Sequence, residues 1–161
     1  MSVADRESAG RCALAALAII AAVALTSCGG STMDRARSTV ATSARVVAAA
    51  DSIAADVIQE RIAATGSEAE LVREERRAAK VVRAFVSVHA VLVSADAALD
   101  AWHAGSAEEG TWLDAVSCAL PAVLALVDAL DEYGLPETVA EPLRMATAVL
   151  SGFLGGECRS P

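Results

Sequence analysis

The sequence predicts an all-α fold, an antiparallel four-helix bundle in which two long helices form a projecting hairpin. Three observations predict it. Hydrophobic residues make up 55% of the 161 positions but aromatics only 3%, and there are four prolines; the difference is largely alanine, the strongest helix former. Apolar residues recur at intervals of three and four along four separate segments, the spacing of one helix face. The breaks between those segments are short and glycine-bearing, and short connections turn consecutive helices back on one another.

Helix one is expected over residues 32–64, with Val40, Val47, Ala50, Ile53, Val57 and Ile58 on its apolar side. Thr65-Gly66-Ser67 ends it. Gly66 suits a helix C-terminus, and Ser67 with Glu70 has the spacing of a capping box for the next helix. Helix two, over 68–103, carries the seam Val81, Phe85, Val88, Leu92, Ala95, Leu99 and Trp102. Its intervals alternate four and three, the pattern of helices that cross at a shallow angle. Gly105 ends it, and Ser106 with Glu109 offers a second capping box.

Helix three is expected over 109–133, with Leu113, Val116, Leu120, Val123, Val127 and Leu130 in the seam. Most of its other faces are also apolar, so it is expected to be the most buried element. Pro121 lacks a backbone donor and should kink it. Gly134 closes it. Helix four follows over 137–154, with Val139, Leu143, Ala146, Leu150 and Phe153 inward. Thr138 and Glu141 suggest a third capping box, Pro142 follows in the first turn, and Gly155-Gly156 ends the helix.

At 1.5 Å per residue, helices one and two are each about 50 Å long, helix three about 37 Å and helix four about 27 Å. The two shorter helices should therefore leave residues 56–80 projecting as a two-helix tip. Charges crowd there, including Arg73-Glu74-Glu75-Arg76-Arg77. Glu70–Arg73 and Glu74–Arg77 have i,i+3 spacing, worth tenths of a kcal/mol each. A solvated face is the ordinary reading of such a run; a protein partner docking on the hairpin tip is the alternative.

Charge is uneven. Residues 28–83 contain nine basic and eight acidic side chains, whereas residues 84–161 contain two basic and eleven acidic. Recognition of nucleic acid needs a basic surface, so no nucleic-acid partner is expected. No enzyme signature is present: the sequence lacks a phosphate-binding glycine loop, a G-x-S-x-G elbow, an H-E-x-x-H pair and paired C-x-x-C motifs. No catalytic residue, metal site or cofactor is expected. Asp96, Asp100 and His103 share one helix face, but three ligands from one helix rarely hold a metal, and a local Asp100–His103 contact accounts for them equally. His89 beside the seam reads as half-buried. Trp102 and Trp112 flank the Gly105 turn and read as core packing, with a membrane-interface contact as the alternative.

The first segment has a different character. Arg6 and Arg11 precede an apolar run from Ala13 to Leu25, too short for the roughly 20 residues a spanning helix needs. A charged start, a short apolar stretch and small residues at its end describe an export signal over residues 1–27. Leu25-Thr26-Ser27-Cys28 resembles the lipobox of bacterial lipoproteins, a branched apolar residue and two small residues before cysteine. The resemblance implies that Cys28 becomes the first mature residue and carries lipid, anchoring the chain to a membrane, with residues 28–31 as a flexible tether to a helical domain over 32–161. Stable anchoring takes more than one acyl chain, which the diacylglycerol of that family supplies. Gly29 is not the aspartate that commonly retains such proteins at the inner membrane. The resemblance therefore implies the periplasmic face of the outer membrane in a two-membrane envelope, or otherwise the outer face of the cytoplasmic membrane.

Once Cys12 leaves with the signal and Cys28 is acylated, Cys118 and Cys158 remain, in an oxidising compartment. A disulfide between them would close about 40 residues and contribute about 4 kcal/mol on the chain-entropy picture; two unrelated thiols, with Cys118 buried, is the alternative. The chain is also similar in type to small alanine-rich helical lipoproteins of bacteria and their phages. The expected role is structural or protein-interacting, at the cell envelope. A carrier of a small apolar ligand or lipid is the second expectation, and a phage-encoded envelope protein for lysis or superinfection exclusion the third.

Overall fold

A computed structural model describes residues 32–154, and all four helices lie within them: α1 (Thr32–Ala63), α2 (Glu68–His103), α3 (Glu109–Tyr133) and α4 (Glu137–Leu154). No strand occurs among the described residues, so the fold is all-α. Residues 1–27, Cys28, the 28–31 tether, Gly155, Gly156 and Cys158 lie outside them, as does the side chain of Phe153. The helix limits match the periodic segments to within a residue, because glycine and serine at the breaks end each run sharply.

The breaks are built in different ways. Ser67 starts α2 in an extended conformation and its hydroxyl accepts from the Glu70 amide at 3.3 Å. The Glu70 carboxylate accepts from the Gly66 amide rather than from that of Ser67, so the expected box closes one residue early. At the end of α2, Gly105 takes φ 71°. The Ser106 amide then donates to Ala101 O and the Gly105 amide to Trp102 O, each at 2.9 Å, the Schellman pattern. Ser106 thus caps α2, not α3 as expected; its hydroxyl also donates to Ala101 O at 2.8 Å, and Glu108 stands at the start of α3 without a side-chain cap bond. The same pattern ends α3: Gly134 at φ 74°, its amide on Asp131 O, and the Leu135 amide on Leu130 O. Leu130 and Leu135 are both buried, the apolar contact that accompanies this turn. Thr138 lies inside α4, so the third expected box is absent too; the Val139 amide bonds Pro136 O. α3 stays helical on both sides of Pro121.

Packing follows the chain, with α1 against α2, α2 against α3, α3 against α4, and α4 back against α1. From α2 the core takes Val81, Phe85, Val88, Leu92, Ala95 and Leu99, as the seam predicts. α1 contributes small side chains, with Ala36, Thr39, Ser43, Ala50 and Ala54 buried beside Val40, Val46, Val47 and Ile58; small residues let a neighbouring helix approach closely. Ile53 and Val57 are half-buried.

Two packing expectations are met only in part. Of the expected α3 seam, Val116, Val123, Val127 and Leu130 are buried, Leu120 is half-buried and Leu113 is exposed; Trp112, Ala119, Leu126 and Tyr133 complete the inward face, and Leu124 is exposed. α3 buries a larger share of its residues than α1 or α2, and with α2 and α4 as its neighbours it keeps an outer face in solvent. The projection over 56–80 is also too long. Arg61, Arg77 and Lys80 all bond to the last residues of α3, and Ala54, Ile58 and Ala78 are in the core. Only the turn region is left over: from Ala63 to Arg73 no residue is buried, and only Thr65 and Leu71 are half-buried.

These positions separate by stability. Leu99 is 0% exposed and Leu124 47% exposed, so Leu99→Ala is expected to cost about 3 kcal/mol and Leu124→Ala under about 0.5 in urea unfolding. A Cβ at Gly134 meets only Arg61 Nη1, at 3.9 Å, but sits at φ +74°, whereas one at helical Gly110 meets nothing. Gly134→Ala should therefore cost about 1–2 kcal/mol and Gly110→Ala should be neutral or stabilising by up to about 1.

Candidate functional site

The densest constellation of charged and aromatic side chains surrounds the C-terminus of α3. A helix leaves its last four carbonyls without intrahelical donors and carries partial negative charge there. α3 has no basic residue in its last turn and has Asp131 and Glu132 instead, which is unfavourable for an isolated helix. The other three helices supply the missing cations. Arg61 of α1 donates to Tyr133 O at 2.8 Å and also to Gly134 O. From α2, Arg77 donates to Glu132 O at 3.0 Å and Lys80 pairs with the Glu132 carboxylate at 2.6 Å. From α4, Arg144 grips both carboxylate oxygens of Asp131, at 2.9 and 2.8 Å, and pairs with Glu137. Hydrogen bonding to Lys80, followed by its charge, holds the Glu132 carboxyl below its ordinary range. Bonds to Asp131 and Glu137 raise Arg144.

Tyr133 sits at the centre. The Arg61 and Arg77 guanidinium carbons lie 5.0 and 5.5 Å from its ring centroid, within cation–π range. Its hydroxyl is buried beside the Glu74 carboxylate. Burial, reinforced by the neighbouring Glu74 carboxylate, pushes the phenol up to about 12. Glu74 also meets Arg77 at 3.7 Å, as its spacing predicts. Arg73 does not meet Glu70 as expected but donates to Ala69 O at 3.4 Å. The run read as a solvated face is thus partly structural. Nothing in the spacing of α2 signals this, because the carbonyls that Arg77 serves lie 55 residues away.

The other predicted residues lie at the opposite end or along the helices between. Asp100 pairs with Arg37, and His103 Nδ1 lies 3.2 Å from Met33 Sδ. Asp96 is exposed, and no group of three or more His, Cys, Asp or Glu gathers around a metal position among the described residues. The Asp96–Asp100–His103 face is therefore not assembled as a ligand set. His89 is half-buried, with Nε2 3.8 Å from Asp51 Oδ2. Trp112 is buried and stacks on half-buried Trp102 at 5.2 Å between centroids, 22° from parallel, which matches the core-packing reading. Cys118 is exposed on α3, so it is not the buried thiol of the second reading. No family model, curated protein or solved structure matches the chain.

The constellation ties the end of α3 to the other three helices, with its cations bonded to carbonyls and carboxylates and its phenol held protonated. Two measurements test this. The chain has one tyrosine, so tyrosinate absorbance should titrate with a midpoint near 12 when folded and about 10 when unfolded. The folded phenol holds its proton more tightly than the unfolded one. The phenol's contribution to stability should accordingly be constant below pH about 10 and fall as pH rises from about 10 to about 12; a native midpoint near 10 contradicts the burial. Arg61→Ala, which loses two carbonyl bonds and a ring contact, should cost about 2 kcal/mol in urea unfolding. Arg61→Lys should recover less than half, because one ammonium lacks the planar fork.

Proposed function

We propose that this chain is a lipid-anchored, extracytoplasmic antiparallel four-helix bundle with a structural or protein-interaction role at the cell envelope. The observation that carries the reading is Leu25-Thr26-Ser27-Cys28 at the end of a 13-residue apolar run, four residues before α1 begins at Thr32. The tether from Cys28 to Thr32 spans at most about 14 Å, so acylation would hold the Thr32 end of α1 against the membrane. That end carries the Arg37–Asp100 pair and the Met33–His103 contact.

The antiparallel arrangement is supported by residue pairs that step in opposite directions along the chain. Arg37 meets Asp100 and Asp51 meets His89 between α1 and α2. Lys80 meets Glu132 and Trp102 meets Trp112 between α2 and α3. In this geometry the 63–73 turn stands farthest from the lipid. α2 and the Gly110–Tyr133 part of α3 are long and apolar enough to cross a membrane by length and composition. Their seams supply the core instead, and burial of Leu99, Val116, Leu126 and Leu130 against other helices favours a folded domain beside the bilayer over two spanning segments. An interaction role fits an assembly whose polar clusters join helices and whose outer faces remain available.

Acylation is the test. Cells given a labelled fatty acid should incorporate it into the unaltered chain and not into Cys28→Ser, and mass spectrometry should find the mature chain beginning at Cys28 with a lipid-sized addition. A purified chain with an unmodified Cys28 thiol would overturn the reading.

A further inference from the structure

We propose that the outer face shared by α1 and α2 is a self-association surface and that its occupant is a second copy of this chain. Val82, Val86 and Val93 stand 52%, 63% and 69% exposed on one side of α2, with exposed Ala79, Ala90 and Ala97 between and beside them. Their spacing repeats a helix-packing seam outside the core. The adjoining outer side of α1 exposes Ala41, Ala48, Ser52 and Ala55. A valine ridge therefore lies beside a small-residue trough. A twofold rotation about an axis parallel to the helices lays each copy's ridge in the other's trough, as a closed, self-complementary interface requires.

Charge selects the same partner. Within the chain, Arg37–Asp100 and Asp51–His89 fix which heights on α1 and α2 are level. That register sets Asp56 level with Arg83, both exposed on the outer margins of their helices. The rotation preserves height, so Asp56 of each copy faces Arg83 of the other, giving two symmetric ion pairs at the edges of the apolar strip. Residues 32–103 hold nine basic and ten acidic side chains, whereas residues 104–161 hold two basic and nine acidic. The α1–α2 layer is thus the side on which two copies of a chain with net charge −8 approach with little repulsion. A strip from Ala79 to Ala97 is about 27 Å long and two helices are about 20 Å wide, on the scale of the ~800 Å² per partner of a stable complex. A membrane-surface helix would instead carry rows of lysine and arginine beside its apolar face. The surface belongs to the folded domain and does not depend on whether Cys28 carries lipid.

Sedimentation equilibrium of the full chain in density-matched detergent micelles tests the proposal. The unaltered chain should be a dimer, and Val86→Glu should sediment as a monomer with unchanged helical circular dichroism. Arg83→Glu and Asp56→Arg should each weaken dimerisation about fivefold or more, and the double exchange Asp56→Arg/Arg83→Glu should restore it to within about threefold. A monomeric unaltered chain, a Val86→Glu dimer, or a double exchange no tighter than either single variant would overturn it; the last two outcomes place any association elsewhere, such as the 1–31 segment.

Discussion

The end of α3 is a helix terminus that its own sequence makes unfavourable. Two carboxylates stand where the helix already carries partial negative charge, and its last turn has no cation. Each such mismatch costs about 0.3–1 kcal/mol near the surface. The terminus becomes favourable only when Arg61, Arg77, Lys80 and Arg144 arrive from three other helices. One electrostatic requirement of a single helix is therefore met by all the others, and it fixes where along α1 and α2 the end of α3 rests. The apolar seams alone would tolerate a slide by one heptad, because their spacing repeats.

Tyr133 makes this polar junction continuous with the core. Its ring is buried in the same core cluster as Leu130 and Leu135 and is faced by two guanidinium groups. Arginine suits that position because a weakly hydrated planar cation can lie on an aromatic ring while its donors reach carbonyls. The other end of the molecule is held differently, by the Trp102–Trp112 stack and the Gly105 turn, with Arg37–Asp100 outside them. One end is thus ordered by directional bonds to carbonyls and the other mainly by aromatic burial.

Between those ends the helices are unequal in what they bury. α2 has one apolar seam inside and a second row of valines outside. An exposed apolar row of that kind is informative in a chain with ample charged residues elsewhere. Its neutral surroundings contrast with the acidic α3–α4 side, so the two broad faces of the domain differ in charge. A lipid at Cys28 would confine such a domain to a surface and raise the local concentration at which its faces meet.

The sequence by itself determined the helices and their limits. Intervals of three and four, alanine richness and the glycines at 105 and 134 act within a few residues, so they are legible without a fold. It also identified the α2 seam, because every member of that row from Val81 to Leu99 is buried. Tertiary structure alone decided the rest. Ser106 looks like the start of one helix and serves as the end of another, since the Gly105 turn directs its amide and hydroxyl back to Ala101 O. Leu113 fits the α3 spacing as well as Trp112 does, and only the position of α2 turned the tryptophan inward. Arg61 and Arg77 read as surface charge, yet they serve carbonyls 72 and 55 residues distant. Local periodicity records which residues prefer a helix and which prefer oil; it carries no record of which far helix end will lack a donor, because that is set only when the helices meet.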